Sequence, residues 1–221
     1  MLDIDNIIQI FSEHNVKLEF DNFENFIASL EKLVHYYDTM QRFIYYDYIY
    51  TEEEISYLND ICKTTQWTRI SDGTLNNPEN INPNGNRYAS GVEKYLDPDK
   101  LIQEYFNYIP EKTADSLQIG FTISNGYTPD VKLTKYDAGD DYGWHCDCWI
   151  ERPGVNWKRQ ISSITYLNDD YEGGQTEFEC GAIIEPKAGK TLIFPSNWCF
   201  SHRGRPVTKG TKYLYVKHIW M

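Results

Sequence analysis

The sequence predicts a mainly β protein of the α+β class, with helices first and an all-β core after them. Amphipathic helical stripes are confined to the first half of the 221 residues. From about Ser116 onward, short β-prone runs follow one another with turn-formers between them. Aromatics reach 15% of the chain, 18 of them Tyr, a composition that favours strands.

The helical expectations, in order, begin at Asp3–Phe11, where Ile4, Ile7, Ile8 and Phe11 form a short stripe. Asp21 with Glu24 makes a capping pair before Phe23, Phe26, Ile27, Leu30, Leu33, Val34 and Tyr37. Thr51 with Glu54 opens a third helix through Ile55, Leu58 and Ile61. Asp97-Pro98 starts a fourth over Leu101, Ile102, Tyr105, Phe106 and Ile109, with proline at the favoured first position. Ser71–Asn86 holds two Pro, two Gly and six Asn in sixteen residues and reads as a loop or lid. The β-prone runs are Leu117–Ile123, Val131–Tyr136, Tyr142–Trp149, Gln160–Leu167, Thr176–Ile184, Thr191–Phe194 and Lys212–Trp220, a spacing that suggests an antiparallel sandwich or barrel. The expected organisation is a helical region over 1–115, bracing a β core over 116–221, in one integrated domain.

Composition narrows the function. With 21 Lys+Arg against 33 Asp+Glu the net charge is −12, which argues against nucleic acid or an anionic membrane as partner. No apolar run approaches about 18 residues, and the acidic start MLDIDNIIQIFSEH lacks the basic opening of a secretory signal. Five irregularly spaced cysteines make no disulfide framework and fit a reducing compartment. The expectation is a soluble cytoplasmic protein.

In YGWHCDCWI, strand alternation would put His145, Asp147 and Trp149 on one face and Cys146 and Cys148 on the other, as buried thiols. A histidine and a carboxylate two apart can bind one ion, though so acidic a chain makes such pairs by chance. His202, in a turn-rich stretch after a strand, supplies a third ligand from a distance. Two histidines and one carboxylate suit Fe(II) with three open positions, or zinc with a water. In Lys212–Trp220, alternation puts Lys212 on a face with Leu214, Val216, His218 and Trp220. A lysine aimed into a β core needs an anion, and a bound carboxylate is one candidate. A strand-end lysine whose stem escapes to solvent is the alternative.

These motifs stand in an ordered string. It runs Leu133-Thr134-Lys135-Tyr136-Asp137-Ala138-Gly139, Tyr142-Gly143-Trp144-His145-Cys146-Asp147, Arg159-Gln160-Ile161-Ser162 and Tyr166-Leu167-Asn168. It continues through Tyr171-Glu172-Gly173-Gly174-Gln175-Thr176-Glu177-Phe178, Phe194-Pro195-Ser196, His202 and Pro206 to Tyr213. The string resembles the Fe(II)- and 2-oxoglutarate-dependent dioxygenases, and within them the prolyl 4-hydroxylase-like group. Upstream, Arg87-Tyr88-Ala89-Ser90-Gly91 is similar to the Arg-Thr-Ser-x-Gly stretch of that group.

The resemblance implies a double-stranded β-helix, or jelly roll, with flanking N-terminal helices. It implies that His145, Asp147 and His202 ligate Fe(II), and that Lys212 pairs with the distal carboxylate of 2-oxoglutarate beside Tyr136 and Tyr166. Arg87, Arg159 and Trp220 become substrate-side residues, and His218, standing where many relatives carry Trp, is expected to be a spectator. The implied reaction consumes O2 and 2-oxoglutarate, releases succinate and CO2 and hydroxylates an unactivated C–H bond, with ascorbate as an auxiliary reductant. Asp147 favours hydroxylation, since Ala or Gly there would admit halide. Peptidyl-proline is the first expectation for substrate. A free amino acid or other small molecule is the second, and a non-catalytic jelly roll holding a structural metal is a third. Nucleic-acid demethylation is disfavoured by the acidic chain and by Lys212 in place of an arginine pair.

Overall fold

A computed structural model of the chain describes residues 39–70, 87–91, 131–148 and 159–220. By contact clustering the chain forms two units, Met1–Arg42 and Phe43–Met221, and the second holds everything below. The expected helices at Asp3–Phe11, Asp21–Tyr37 and Asp97–Ile109, the 71–86 loop and the Leu117–Ile123 strand lie outside the described residues.

The ordered elements are β1 (Tyr45–Asp47), α1 (Glu52–Thr64), β2 (Thr68–Ile70), β3 (Arg87–Gly91), β4 (Val131–Asp137), β5 (Tyr142–His145) and β6 (Arg159–Tyr166). Then come β7 (Glu172–Gly173), β8 (Thr176–Phe178), β9 (Ile183–Ile184), β10 (Thr191–Pro195), a 3-10 turn at Trp198–Phe200, β11 (His202–Gly204), β12 (Val207–Lys209) and β13 (Thr211–Trp220). A seven-stranded sheet runs β1-β10-β6-β13-β4-β3-β2 and a four-stranded sheet runs β5-β11-β8-β9, with β12-β7 as a small ladder. All the pairings are antiparallel, and the two main sheets form the jelly roll anticipated above.

Strand structure begins well before residue 116. β1, β2 and β3 all join the large sheet, so the region expected to be helical also builds its edges. Strands of three to five residues give too short an alternation to be read from sequence. The run Thr176–Ile184 is two strands joined by a turn, and the run from Tyr142 stops at His145.

α1 forms where its capping box predicts. Thr51 accepts from the Glu54 amide while Glu54 accepts from the Thr51 amide, satisfying two otherwise unpaired donors. Its apolar face buries Ile55, Leu58 and Cys62 against one face of the large sheet, in a core with Leu133, Ile161, Ile193, Tyr215 and Ile219. Truncating the fully buried Leu58 to Ala would cost about 2–5 kcal/mol.

β13, ten residues long and paired on both sides by β4 and β6, is central to this arrangement. Its odd-numbered residues Tyr215 and Ile219 join the core under α1, while Lys212, Leu214, Val216 and His218 face a cavity of about 270 Å³. His145, Thr176 and His202 of the small sheet line the same cavity. The candidate site residues therefore sit between the two sheets. Arg69 forks onto Asp140, whose carboxylate also accepts from the Asp137 amide, and this pins the turn leading into β5.

Candidate metal and co-substrate site

The candidate metal triad is assembled by strand register. In the β5–β11 ladder His145 lies opposite His202, and Asp147 follows two residues after β5 ends. One ligand atom from each lies within 4.8 Å of the others, and among the described residues this is the one such cluster of His, Cys, Asp and Glu. Asp147 Oδ1 is 3.7 Å from His145 Nε2, and Oδ2 is 3.8 Å from His202 Nε2.

Each ring is oriented by a backbone carbonyl, with His145 Nδ1 2.9 Å from the Gly143 oxygen and His202 Nδ1 3.0 Å from the Phe200 oxygen. A carbonyl only accepts, so in both rings the proton sits on Nδ1 and the Nε2 lone pair is left for the ion. Burial and the neighbouring His202 push His145 down to about 4, so it is neutral at pH 7. Burial alone would raise the Asp147 carboxyl, but His218, His202, His145 and a hydrogen bond from Ser162 hold it well below the usual carboxylate range. Two imidazoles that present Nε2 and a carboxylate, all converging on one point, fit a divalent cation.

Lys212 lies at one end of the cavity with 2% of its surface exposed, which excludes a stem that escapes to solvent. Its Nζ donates to the Gly174 carbonyl at 2.6 Å and stands 5.2 Å and 5.5 Å from the rings of Tyr136 and Tyr166. No ion pair to it is present among the described residues, and burial pushes it down to about 7. Burial raises both phenols, Tyr136 to about 12, and the Tyr166 hydroxyl lies 2.6 Å from Thr176 Oγ1. A buried ammonium, two protonated phenols and a hydroxyl form a donor-rich pocket suited to a carboxylate.

Of the residues expected on the substrate side, Arg87 and Arg159 both line the cavity. Arg87 is buried with its guanidinium 3.6 Å from the centre of the Tyr142 ring, which itself packs 3.8 Å from His145. Trp220 ends β13, and its side chain lies outside the described residues.

Two expectations need correction. His218 is no bystander. It is buried on the cavity wall, its Nδ1 lies 3.2 Å from Ser162 Oγ, and it is the first of the side chains that draw the Asp147 carboxyl down against its burial. Cys146 and Cys148 are not buried thiols either. Cys146 is partly buried, Cys148 is exposed, and their sulfurs are 2.9 Å apart. Alternation fails there because β5 ends at His145.

Sequence reasoning missed Ser162, Thr176 and Tyr142, all close to the site. Ser162 shares a β6 face with Tyr166 by alternation, and that was the available signal.

The fold and this cluster define a jelly-roll protein with a two-histidine, one-carboxylate centre and a buried lysine beside it. Residues 131–220 match the family model of the 2OG-Fe(II) oxygenase superfamily. The chain is 26% identical over 129 residues to a PKHD-type hydroxylase of Synechococcus sp. (strain CC9902), covering 56% of either chain. It is 36% identical over 72 residues to human prolyl 3-hydroxylase 2, covering 30% of this chain and 10% of that one. The chain thus spans about half of the first relative and a tenth of the second.

In fold it is similar to the viral collagen prolyl hydroxylase of Paramecium Bursaria Chlorella virus-1, solved with 2OG, at a TM-score of 0.51 and 20% identity, covering 80% of this chain and 95% of that one. It is also similar to a Trichoplax adhaerens prolyl hydroxylase in complex with a hypoxia inducible factor peptide fragment, at a TM-score of 0.51 and 17% identity, covering 87% and 92%.

Proposed function

We propose that this protein is an Fe(II)- and 2-oxoglutarate-dependent dioxygenase that hydroxylates an unactivated C–H bond, with peptidyl-proline as first substrate. The observation that carries the reading is the buried Lys212, placed in one cavity with His145, Asp147 and His202. A structural zinc site has no use for a desolvated ammonium beside it, whereas a dicarboxylate co-substrate needs one.

In this reading His145, Asp147 and His202 hold the ion by one face. Lys212, Tyr136 and Tyr166 bind the distal carboxylate of 2-oxoglutarate, and Thr176 fixes the Tyr166 hydroxyl. When bound, the iron supplies the oxidative decarboxylation of the co-substrate to succinate and CO2 and the transfer of one oxygen atom to substrate. Gly143 and Phe200 keep both histidines in the metal-binding tautomer, and Ser162 and His218 orient Asp147. Arg87, Arg159 and Trp220 belong to the substrate side, and ascorbate serves as reductant.

Relatives named prolyl hydroxylases support proline. A free amino acid is the second reading, favoured by the cation-lined cavity of about 270 Å³. Five free thiols support work in the reducing cytoplasm. No helix among the described residues is long and apolar enough to cross a membrane.

The test is an anaerobic titration of the Fe(II) protein with 2-oxoglutarate, followed by its visible charge-transfer band in wild type and Lys212→Ala. A saturating band that weakens sharply in the variant is expected. Absence of the band in metal-loaded wild type overturns the reading and leaves a metal-bearing jelly roll.

A further inference from the structure

Cys146 and Cys148 flank Asp147, and their sulfurs stand 2.9 Å apart. In a continued strand, residues two apart are separated by about 6.6 Å along the chain. Here β5 ends at His145, and the chain beyond it departs from strand geometry and brings the two sulfurs together. Cys148 is exposed, and Cys146 lines the cavity beside the candidate metal ligands. One thiol of the pair is thus open to solvent while the other stands at the site.

Such a pair suits either a thiophilic metal or a disulfide. A metal such as zinc needs further ligands, and among the described residues neither cysteine belongs to a group of three or more ligand atoms. A disulfide needs no third group, and closing the pair to about 2.05 Å draws the sulfurs together by only about 0.9 Å. Asp147 lies between them, beyond the end of β5, where no strand ladder among the described residues fixes its backbone. Its oxygens stand 3.7 Å and 3.8 Å from the two histidine nitrogens. A ligand set has to be held to within about 0.5 Å, so a closure shared by both neighbours of Asp147 is enough to misplace its carboxylate.

We propose that Cys146 and Cys148 form an oxidative modification site that takes low-molecular-weight disulfides of the glutathione class, and that closure of the pair weakens metal binding through Asp147. The inference goes beyond the dioxygenase reading, using its metal triad but neither its co-substrate nor its substrate. The exposed Cys148 sulfur attacks one sulfur of the incoming disulfide, gives its proton to water and releases the other half, which leaves as a free thiol after taking up a proton. Cys146 then attacks the Cys148 sulfur of the mixed disulfide, loses its own proton and releases the second thiol. The two protein thiols are oxidised by two electrons while one small disulfide is reduced to two thiols. The hydrogen bond with Cys146 holds the Cys148 thiol above its ordinary range, so exchange at neutral pH is slow and is read at equilibrium. By linkage, the factor that the disulfide removes from metal affinity is the factor that bound metal removes from disulfide formation.

The test equilibrates the protein anaerobically in mixtures of reduced and oxidised glutathione, with and without saturating Fe(II). Free thiols are then alkylated and the 146–148 segment is read by mass spectrometry. Both thiols are expected to disappear together, as an internal disulfide carrying no glutathione. Fe(II) is expected to shift the equilibrium towards the dithiol by about tenfold, or about 30 mV for a two-electron couple. Competition with a colorimetric chelator should show an Fe(II) affinity lower by the same factor in the oxidised protein. Cys148→Ser should abolish both effects with the affinity of the reduced protein unchanged, and Cys199→Ser should behave as wild type.

A segment that stays reduced in fully oxidised glutathione, or that carries glutathione without closing, overturns the modification site. Closure with the same Fe(II) affinity in both states overturns the coupling to Asp147. Reduced protein that binds no Fe(II) removes the metal triad, and the coupling with it. A missing 2-oxoglutarate band in protein that shows both expected effects removes the dioxygenase reading alone and leaves this site standing.

Discussion

The ammonium of Lys212 is buried and its hydrogen bond runs to a backbone carbonyl, that of Gly174, at 2.6 Å. A carbonyl satisfies one of the three N–H donors and none of the charge. Lys212 is therefore a poised cation whose cost to the protein is recovered when an anion arrives. Replacing it with Met, which fills a similar volume, should weaken 2-oxoglutarate by about 100-fold or more, since an anion would then enter a desolvated site with no countercharge. Affinity for Fe(II), read in the absence of 2-oxoglutarate, should not move. A parallel loss of metal binding would mean that Lys212 supports the metal ligands instead.

The same cation sets a pH dependence of stability. Burial pushes Lys212 from its ordinary 10.5 to about 7, so between these values the unfolded chain binds a proton that the folded chain has given up. Stability should therefore rise with pH from 7 to 9, by at most about 1.4 kcal/mol per pH unit. From about pH 9 the raised Cys62, at about 12, offsets this rise, and above about pH 10 the trend reverses as Tyr136, also raised by burial to about 12, keeps its proton in the folded state too. Urea midpoints of the metal-free protein at pH 7, 8 and 9 should climb in wild type and stay flat in Lys212→Met. Equal slopes in the two proteins would assign the effect to another group.

Much of this was legible because it rests on local chemistry or on long alternation. The Thr51–Glu54 box fixes the start of α1 within one turn, and ten alternating residues fix which face of β13 carries Lys212. His145 and His202 could be named from sequence, but not the ladder that sets them opposite each other, because β5 and β11 have only four and three residues. The role of His218 was illegible for a related reason. Its partner Ser162 lies 56 positions away, and nothing local signals the β6–β13 register that joins them.

That pairing supports a third prediction. Ser162 Oγ lies 2.7 Å from Ser196 Oγ and 3.2 Å from His218 Nδ1, and also bonds to Asp147. Ser162→Ala removes the junction while all three candidate ligands keep their own side chains. Outer partners of this kind typically carry 10–100-fold in metal affinity. Competition with a colorimetric chelator should show a loss of about tenfold for the variant, with the 2-oxoglutarate band still forming at saturating iron. Unchanged affinity would leave Asp147 positioned by the backbone alone.

Gly174 offers a test of how tightly Lys212 is held. Its φ of +68° lies in the left-handed region, and a Cβ there would meet Lys212 Cδ and Tyr171 Cε2, each at 3.1 Å. Gly174→Ala should cost about 1–3 kcal/mol in backbone strain, and should also push the lysine stem aside. Gly139 makes the control, because its φ is +95° but a Cβ would meet nothing within 4 Å. Both variants should lower the urea midpoint, and Gly174→Ala alone should weaken 2-oxoglutarate, with Fe(II) affinity retained in each. If the two variants lose stability equally and bind the co-substrate equally, the ammonium has room to relax and the Gly174 contact does not set its position.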